Sequence, residues 1–371
     1  MRPNIPTCLI TGDQSHLHTE IIASLSYSTH CRYTLMQKME NNTLSPHLTI
    51  KEKVENNEQF DFALSINNKK VVFKKFRNPT SISKLSLLKI SDTKVESEIE
   101  EPFTAMRSYK EWCYDAFSVY LMYDFEANIV SIGVIGYQGS KFCVLDHQND
   151  FSKTLLILIL RKIRSKLLPD FSKIIKVSIK RNGNSLHLIF PDVIDFLEVR
   201  LLRACGINLG LIMIQDLYQR RVRTYRFVVA RQSIKEKFPK LDLNYSRVYY
   251  DLDETLVWEG KPLKQGTDYL MKFVEFGSEV NLITRHTYDI HQTLINAGID
   301  PKVFTNILKV KKNEKKSFYM TEKSILIDNE FSERLDTYLN VRAVPLNIDQ
   351  LEFLSFQGYL SKIEKKYAHK R

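Results

Sequence analysis

Apolar and polar positions change period several times along this chain, and each change marks an element. T-C-L-I-T-G over residues 7–12 reads as a strand closed by Gly12, and residues 16–25 follow with helical spacing. With one glycine at the turn, a plain β-α unit is the expectation rather than a nucleotide cradle. His16 and His18 fall in that connection and suit a solvated loop. Residues 38–58 are polar, carry Asn41-Asn42 and Asn56-Asn57, and predict loop with a short surface helix. Residues 60–76 alternate about Asn67-Asn68, the mark of a hairpin. Residues 90–101 are acidic and read as an exposed connection.

Three strands are then expected, over 118–123, 129–137 and 142–145, with turns at Ala127-Asn128 and Gly139-Ser140. A helix over 153–168 ends at Pro169, a strand covers 174–179, and a helix over 192–205 stops at Gly206. Apolar runs over 211–214 and 224–229 predict two closing strands. Residues 231–244 are charged, with Pro239 in the middle, and predict a linker between domains.

Beyond that linker the pattern turns to short buried strands that end in chemistry. R-V-Y-Y-D-L-D-E-T-L-V over 247–257 is a β-branched and aromatic strand running into Asp251 and Asp253. Side chains alternate along a strand, so two carboxylates one residue apart point the same way. Such a pair repels itself unless a cation sits with it, and hard oxygen ligands favour Mg²⁺. Thr255 repeats the spacing with a hydroxyl. E-V-N-L-I-T over 279–284 is a second strand, ending in Thr284, and S-I-L-I-D-N-E over 324–330 is an apolar strand ending in Asp328. Between them K-V-K-K-N-E-K-K-S offers Lys312, Lys315 and Lys316. Only one helix, over 267–276, fits between Thr255 and Thr284.

Composition narrows the class. The chain has 371 residues, a net charge of +11 and 43% hydrophobic residues, enough for two or three domains with ample core. Its five cysteines, Cys8, Cys31, Cys113, Cys143 and Cys205, are scattered with no C-x-x-C pair. Neither a zinc site nor a disulfide framework is indicated, and buried thiols in a reducing compartment are expected. No signal peptide or membrane-length apolar run is read, so the expectation is a soluble cytoplasmic protein without membrane insertion. Basic runs at 69–77, 161–166, 219–226 and 365–371 are dispersed and carry no nucleic-acid signature. They fit a lysine-rich cytoplasmic face, or a site for an anionic, phosphorylated substrate (a small molecule rather than nucleic acid).

The ordered blocks D-L-D-E-T-L, E-V-N-L-I-T, K-K-S and S-I-L-I-D-N-E resemble the motifs of the haloacid dehalogenase (HAD) superfamily of phosphatases and phosphotransferases, over roughly residues 245–350. The resemblance implies a Rossmannoid α/β domain with a minimal cap. It implies that Asp251 is the nucleophile, taking the phosphoryl group as an aspartyl-phosphate. Asp253 is implied as the general acid and base. Asp251, the backbone carbonyl of Asp253, and Asp328 are implied as Mg²⁺ ligands. Thr284 and Lys316 are implied to hold the phosphoryl oxygens, with Lys312 and Lys315 as alternatives to Lys316. Asn329 departs from the second acid of many relatives; it can bond a metal-bound water but brings no charge.

The element order over residues 60–231 resembles, in pattern only, a GNAT-type acyltransferase. That likeness would bring an acyl-CoA or a carrier protein to the N-terminal half. The place of that family's glycine-rich acyl-CoA turn reads H-Q-N-D-F-S-K, so an α/β recognition domain is the plainer expectation. The domains expected are a 1–58 α/β segment, a mixed α/β domain over 59–231, a linker over 232–244 and a HAD-like domain over 245–371. The function expected is a Mg²⁺-dependent phosphatase whose N-terminal domain selects substrate. The alternatives are a bifunctional HAD/acyl- or glyceryl-transferase of surface-polysaccharide or secondary-metabolite biosynthesis, and a catalytically silent HAD-fold binding protein.

Overall fold

The computed structural model describes residues 7–12, 20–21, 32–35, 48–50, 59–66, 71–81, 95–99, 106, 108–124, 128–146, 149–163, 174–183, 185–217, 222–233, 235–236 and 238–356. The chain is mixed α/β and divides into two compact units between Pro239 and Lys240.

The first unit joins twelve strands in one sheet. They are β1 (Thr7–Gly12), β2 (Arg32–Leu35), β3 (Leu48–Ile50), β4 (Gln59–Ile66), β5 (Val71–Ser81), β6 (Val95–Ile99), β7 (Ala116–Tyr123), β8 (Ile129–Gln138), β9 (Lys141–Val144), β10 (Ile174–Asn182), β11 (Ser185–Asp192) and β12 (Arg231–Ser233). The order β12-β9-β8-β7-β10-β5-β4-β1-β2-β3 runs through the boundary expected at residue 58, and β11 joins β10 to β6. The antiparallel β4–β5 pair and the β7–β8–β9 meander match the strands the alternation suggests.

Helices cover both faces. Alternation along β7 sends Phe117, Val119 and Leu121 into a core with Phe151, Leu155 and Ile159 of α1 (Asp150–Ile163). Ser118 and Tyr120 face the other way, onto α2 (Phe196–Ala204). Glu198 of α2 is buried there and accepts from Tyr120 Oη at 2.6 Å, from Lys176 Nζ at 2.6 Å, and from Tyr137. Burial, and then the Glu198 charge, hold the Tyr120 and Tyr137 hydroxyls well above their usual pKa, so both remain donors. A buried carboxylate answered by a lysine and two phenols is a satisfied network, and removing one member would leave an uncompensated charge.

Four expectations for this unit are corrected. Residues 211–214 lie in a helix, α3 (Leu209–Leu217), whose first turn is capped by Asn208 Oδ1 accepting from Leu211 N–H at 3.1 Å. Residues 224–229 form no strand; only β12 follows them. The acidic stretch over 90–101 contains β6, and β11 stands where no strand was expected. Residues 48–50 are a strand rather than loop. The turn at Asn67-Asn68, most of the helix over 16–25, and residues 164–169 lie outside the described residues. Cys143 and Cys205 are buried thiols but Cys113 is exposed; the side chains of Cys8 and Cys31 are not among those described. Among the described residues no helix is long and apolar enough to cross a membrane.

The second unit is a parallel sheet in the order β17-β16-β13-β18-β19. Its strands are β13 (Arg247–Tyr250), β16 (Glu279–Thr284), β17 (Asn306–Lys309), β18 (Ser324–Ile327) and β19 (Val344–Leu346). The two-stranded ribbon β14 (Val257–Trp258) and β15 (Lys261–Pro262) follows β13 and stands outside that sheet. Helices α4 (Lys264–Glu275), α5 (Ile290–Asn296) and α6 (Phe331–Val341) connect the strands. Tyr249 packs with Ile283, Val310, Met320 and Leu326 on one face, while Tyr250 meets Phe273 of α4 edge-on at 6.1 Å on the other. Gly266 lets α4 close on the segment after β13: a Cβ there would lie 2.3 Å from the backbone oxygen of Thr255. The ribbon turns at Glu259 and Gly260, both with positive φ, as a tight two-residue hairpin requires.

Candidate functional site

The path of the second unit sets where a site can form. The chain moves outward from β13 to β16 and β17, then returns past β13 to β18 and β19. Strand order reverses at β13, and the crevice at the carboxyl ends of β16, β13 and β18 is where open α/β sheets place ligands. Asp251, Thr284 and Asp328 stand at those ends.

Two of these acids are joined by one cation. Lys316 Nζ lies 2.7 Å from Asp251 Oδ1 and 2.7 Å from Asp328 Oδ2. All three side chains are buried, Asp328 completely. Lys316 opens a short 3₁₀ turn, Lys316–Tyr319, between β17 and β18. Of the three lysines considered, it alone meets these carboxylates: Lys315 pairs with Asp336 at 2.5 Å, and Lys312 is exposed. Burial, then the Asp328 charge, push the Asp251 carboxyl up to about 7 against the opposing pull of Lys316. Burial works to lower the Lys316 pKa, but Asp328 and Asp251 outweigh it and the ammonium is held above its usual value.

The surrounding backbone is tied down. Asp251 N–H donates to Ile327 O at 2.9 Å, and Glu330 N–H donates to Asp328 Oδ1 at 2.8 Å. Buried Arg334 of α6 donates to the carbonyls of Asp328 and Asn329 at 2.6 and 2.7 Å. The Lys316 turn is anchored by Asp336, which accepts from Lys315, from Ser317 Oγ at 2.5 Å and from Asn340 Nδ2 at 2.8 Å.

Asp253 stands apart from the buried trio. Its side chain is 56% exposed and meets His286 Nδ1 at 2.9 Å. Thr284 is fully buried, and its Oγ1 accepts from His286 N–H at 3.1 Å. Asn329 turns toward the loop after β13 rather than toward the acids. Its Nδ2 donates to Glu254 Oε2 at 3.1 Å, and its Oδ1 accepts from Thr255 Oγ1 at 3.4 Å. His286, Arg334 and Asp336 were not singled out by the sequence. For His286 the available signal was a histidine just past a strand ending in a hydroxyl.

The donor set suits a hard cation. Asp251 and Asp328 offer carboxylate oxygens from adjacent strands, and their charge already draws in an ammonium. Among the described residues no three His, Cys, Asp or Glu side chains gather as a metal site. The unit also has an apolar cavity of about 820 Å³ lined by Ile295, Ile299, Pro301 and Phe304, sharing none of its lining with the acids. No family model matches the chain, and comparison with curated proteins finds none similar to it.

Proposed function

We propose that residues 240–371 are a Mg²⁺-dependent phosphoryl-transfer unit of HAD type, acting as a phosphatase, and that the first unit selects the substrate. The observation that carries this is the bridge from Lys316 to both Asp251 and Asp328 at the switch point of a parallel sheet. A nucleophilic carboxylate beside a fixed cation, with a buried hydroxyl ending the next strand, is a set of parts for receiving a phosphoryl group.

In this reading the Asp251 carboxylate attacks phosphorus and the ester oxygen departs with a proton from Asp253. Water then attacks the aspartyl-phosphate, giving up its proton to Asp253, and inorganic phosphate leaves. Thr284 and Lys316 hold the phosphoryl oxygens. Asp251, the Asp253 carbonyl and Asp328 would hold Mg²⁺, which when bound offsets the charge of the transferred group. Asp251 is buried and Asp253 is more than half exposed, which suits a nucleophile and a proton carrier respectively.

The test is Mg²⁺-dependent release of nitrophenol from 4-nitrophenyl phosphate by the full chain, with Asp251→Asn as control. Release by wild type alone supports the reading. Absence of release by wild type, or equal release by Asp251→Asn, overturns it. A panel of phosphosugars, nucleotides and phosphorylated nucleic-acid ends then identifies the substrate class.

A further inference from the structure

Asp253 poses a problem for any reaction that needs it. Its carboxylate is more than half exposed, and an unrestrained surface side chain samples several rotamers. The structure supplies a restraint. His286 Nδ1 faces both carboxylate oxygens of Asp253, at 2.9 and 3.1 Å. The ring is itself fixed at its far side, where Nε2 lies 2.9 Å from Thr293 Oγ1 on α5. The Thr293 hydroxyl is itself tied to the start of α5, lying 2.8 Å from Asp289 O. The main chain of His286 is held by Thr284 Oγ1, and the Tyr288 ring meets the imidazole edge-on at 5.6 Å. Every freedom of the ring is therefore answered, and the ordered end of this chain of bonds is the carboxylate of Asp253.

Stability is a poor reason for the arrangement. A polar contact with one partner this exposed contributes only about 0–1 kcal/mol, whether or not it is charged. Its effect is on direction: a general acid acts only within hydrogen-bond reach of the oxygen it protonates. We infer that His286 is a positioning residue, which with Thr293 aims the Asp253 carboxyl at the leaving oxygen of the substrate. The inference rests on the phosphoryl-transfer reading above and adds to it a residue that contacts neither phosphorus nor metal.

The test compares 2,4-dinitrophenyl, 4-nitrophenyl and phenyl phosphate as substrates of the full chain at fixed Mg²⁺ and pH. Phenol needs a proton to leave and dinitrophenol does not. His286→Ala is expected to lower kcat on phenyl phosphate about 10- to 100-fold more than on the dinitrophenyl ester, a fraction of what a general acid is worth. His286→Asn, which keeps an N–H near the Nδ1 position, is expected to restore most of that loss, and Thr293→Val to fall between. Equal loss on all three esters, or none on any, overturns the inference while leaving the proposed function standing. A wild type inactive on all three removes the proposed function and this inference with it. Independently of turnover, the ring ¹⁵N resonances of His286 in the free chain are expected to move in Asp253→Asn; unmoved resonances overturn the pairing itself.

Discussion

Lys316 and Asp251 are joined across 2.7 Å, one from the connection between β17 and β18 and the other from the end of β13, and the same ammonium reaches Asp328. Among the described residues this ammonium is the cation that pairs with both buried carboxylates, and the Glu330 N–H adds a bond to Asp328. Lys316→Met keeps most of the unbranched side chain and removes its charge. It is expected to cost about 3–5 kcal/mol, the usual effect of breaking a buried pair, measured by urea unfolding in EDTA. Adding Asp251→Asn to that variant should restore part of the loss. A double variant no better than the single one would show that the acids do not load each other.

Asp251 gives the unit a signed pH dependence. Its folded value of about 7 stands above the ordinary 3.8. Between those two values the folded state keeps the proton and the unfolded state loses it, so the folded state binds more protons. In metal-free buffer the stabilisation from this group is complete below pH 4 and is lost as pH rises through 7. Asp251→Asn should flatten that slope and abolish turnover while leaving circular dichroism unchanged. A variant with the wild-type slope would place the titration elsewhere.

Asn329→Asp tests what the fourth strand's end is for. Sequence alone suggests that the added acid would tighten Mg²⁺. In the fold the side chain meets Glu254 and Thr255, so the substitution puts a second carboxylate beside Glu254. The expected outcome is a loss of about 1 kcal/mol in stability and an unchanged Mg²⁺ concentration for half-maximal activity. A lower requirement for Mg²⁺ would mean that position 329 turns inward when metal binds.

Asp336 is remote from the acids yet holds the turn that delivers Lys316. Asp336→Ala removes the partner of Lys315, Ser317 and Asn340. A stability loss of about 1–2 kcal/mol and a severalfold fall in kcat are expected, read by thermal melting and by aryl phosphate turnover. Unchanged kcat would show that the Lys316 turn holds its place without the anchor.

The second unit should fold alone if its first strand-like contact is kept. Leu241 is buried; its N–H donates to Phe353 O at 2.7 Å, and its O accepts from Ser355 N–H at 3.0 Å. A fragment of residues 240–371 is expected to melt in one cooperative transition. A fragment starting at residue 244 should melt lower, having lost that closure.

The strands that carry the site were legible because each is a short apolar run that stops abruptly in an acid or a hydroxyl. Periodicity could not decide Leu209–Leu217, an apolar run too short to separate strand from helix. The cue that would have decided it was Asn208, a capping residue in front of the run. β11 was hidden although Asn182-Gly183, with Gly183 at φ +57°, is an ordinary hairpin signal. β6 carries no apolar alternation, since V-E-S-E-I is acidic, and its pairing with β11 is non-local. The bonds of His286 to Asp253 and of Asp336 to Lys315 join residues far apart in sequence, and no local pattern announces them.

Gly266 gives the second unit a point of failure with no chemistry of its own. The smallest possible side chain there would strike the carbonyl of Thr255, main chain with nothing flexible to yield. A single added methyl would drive helix and loop apart, and the loop carries Asp253. In a saturation screen this position should be as intolerant as the carboxylates, and a search that equates intolerance with chemistry would mistake it for one of them.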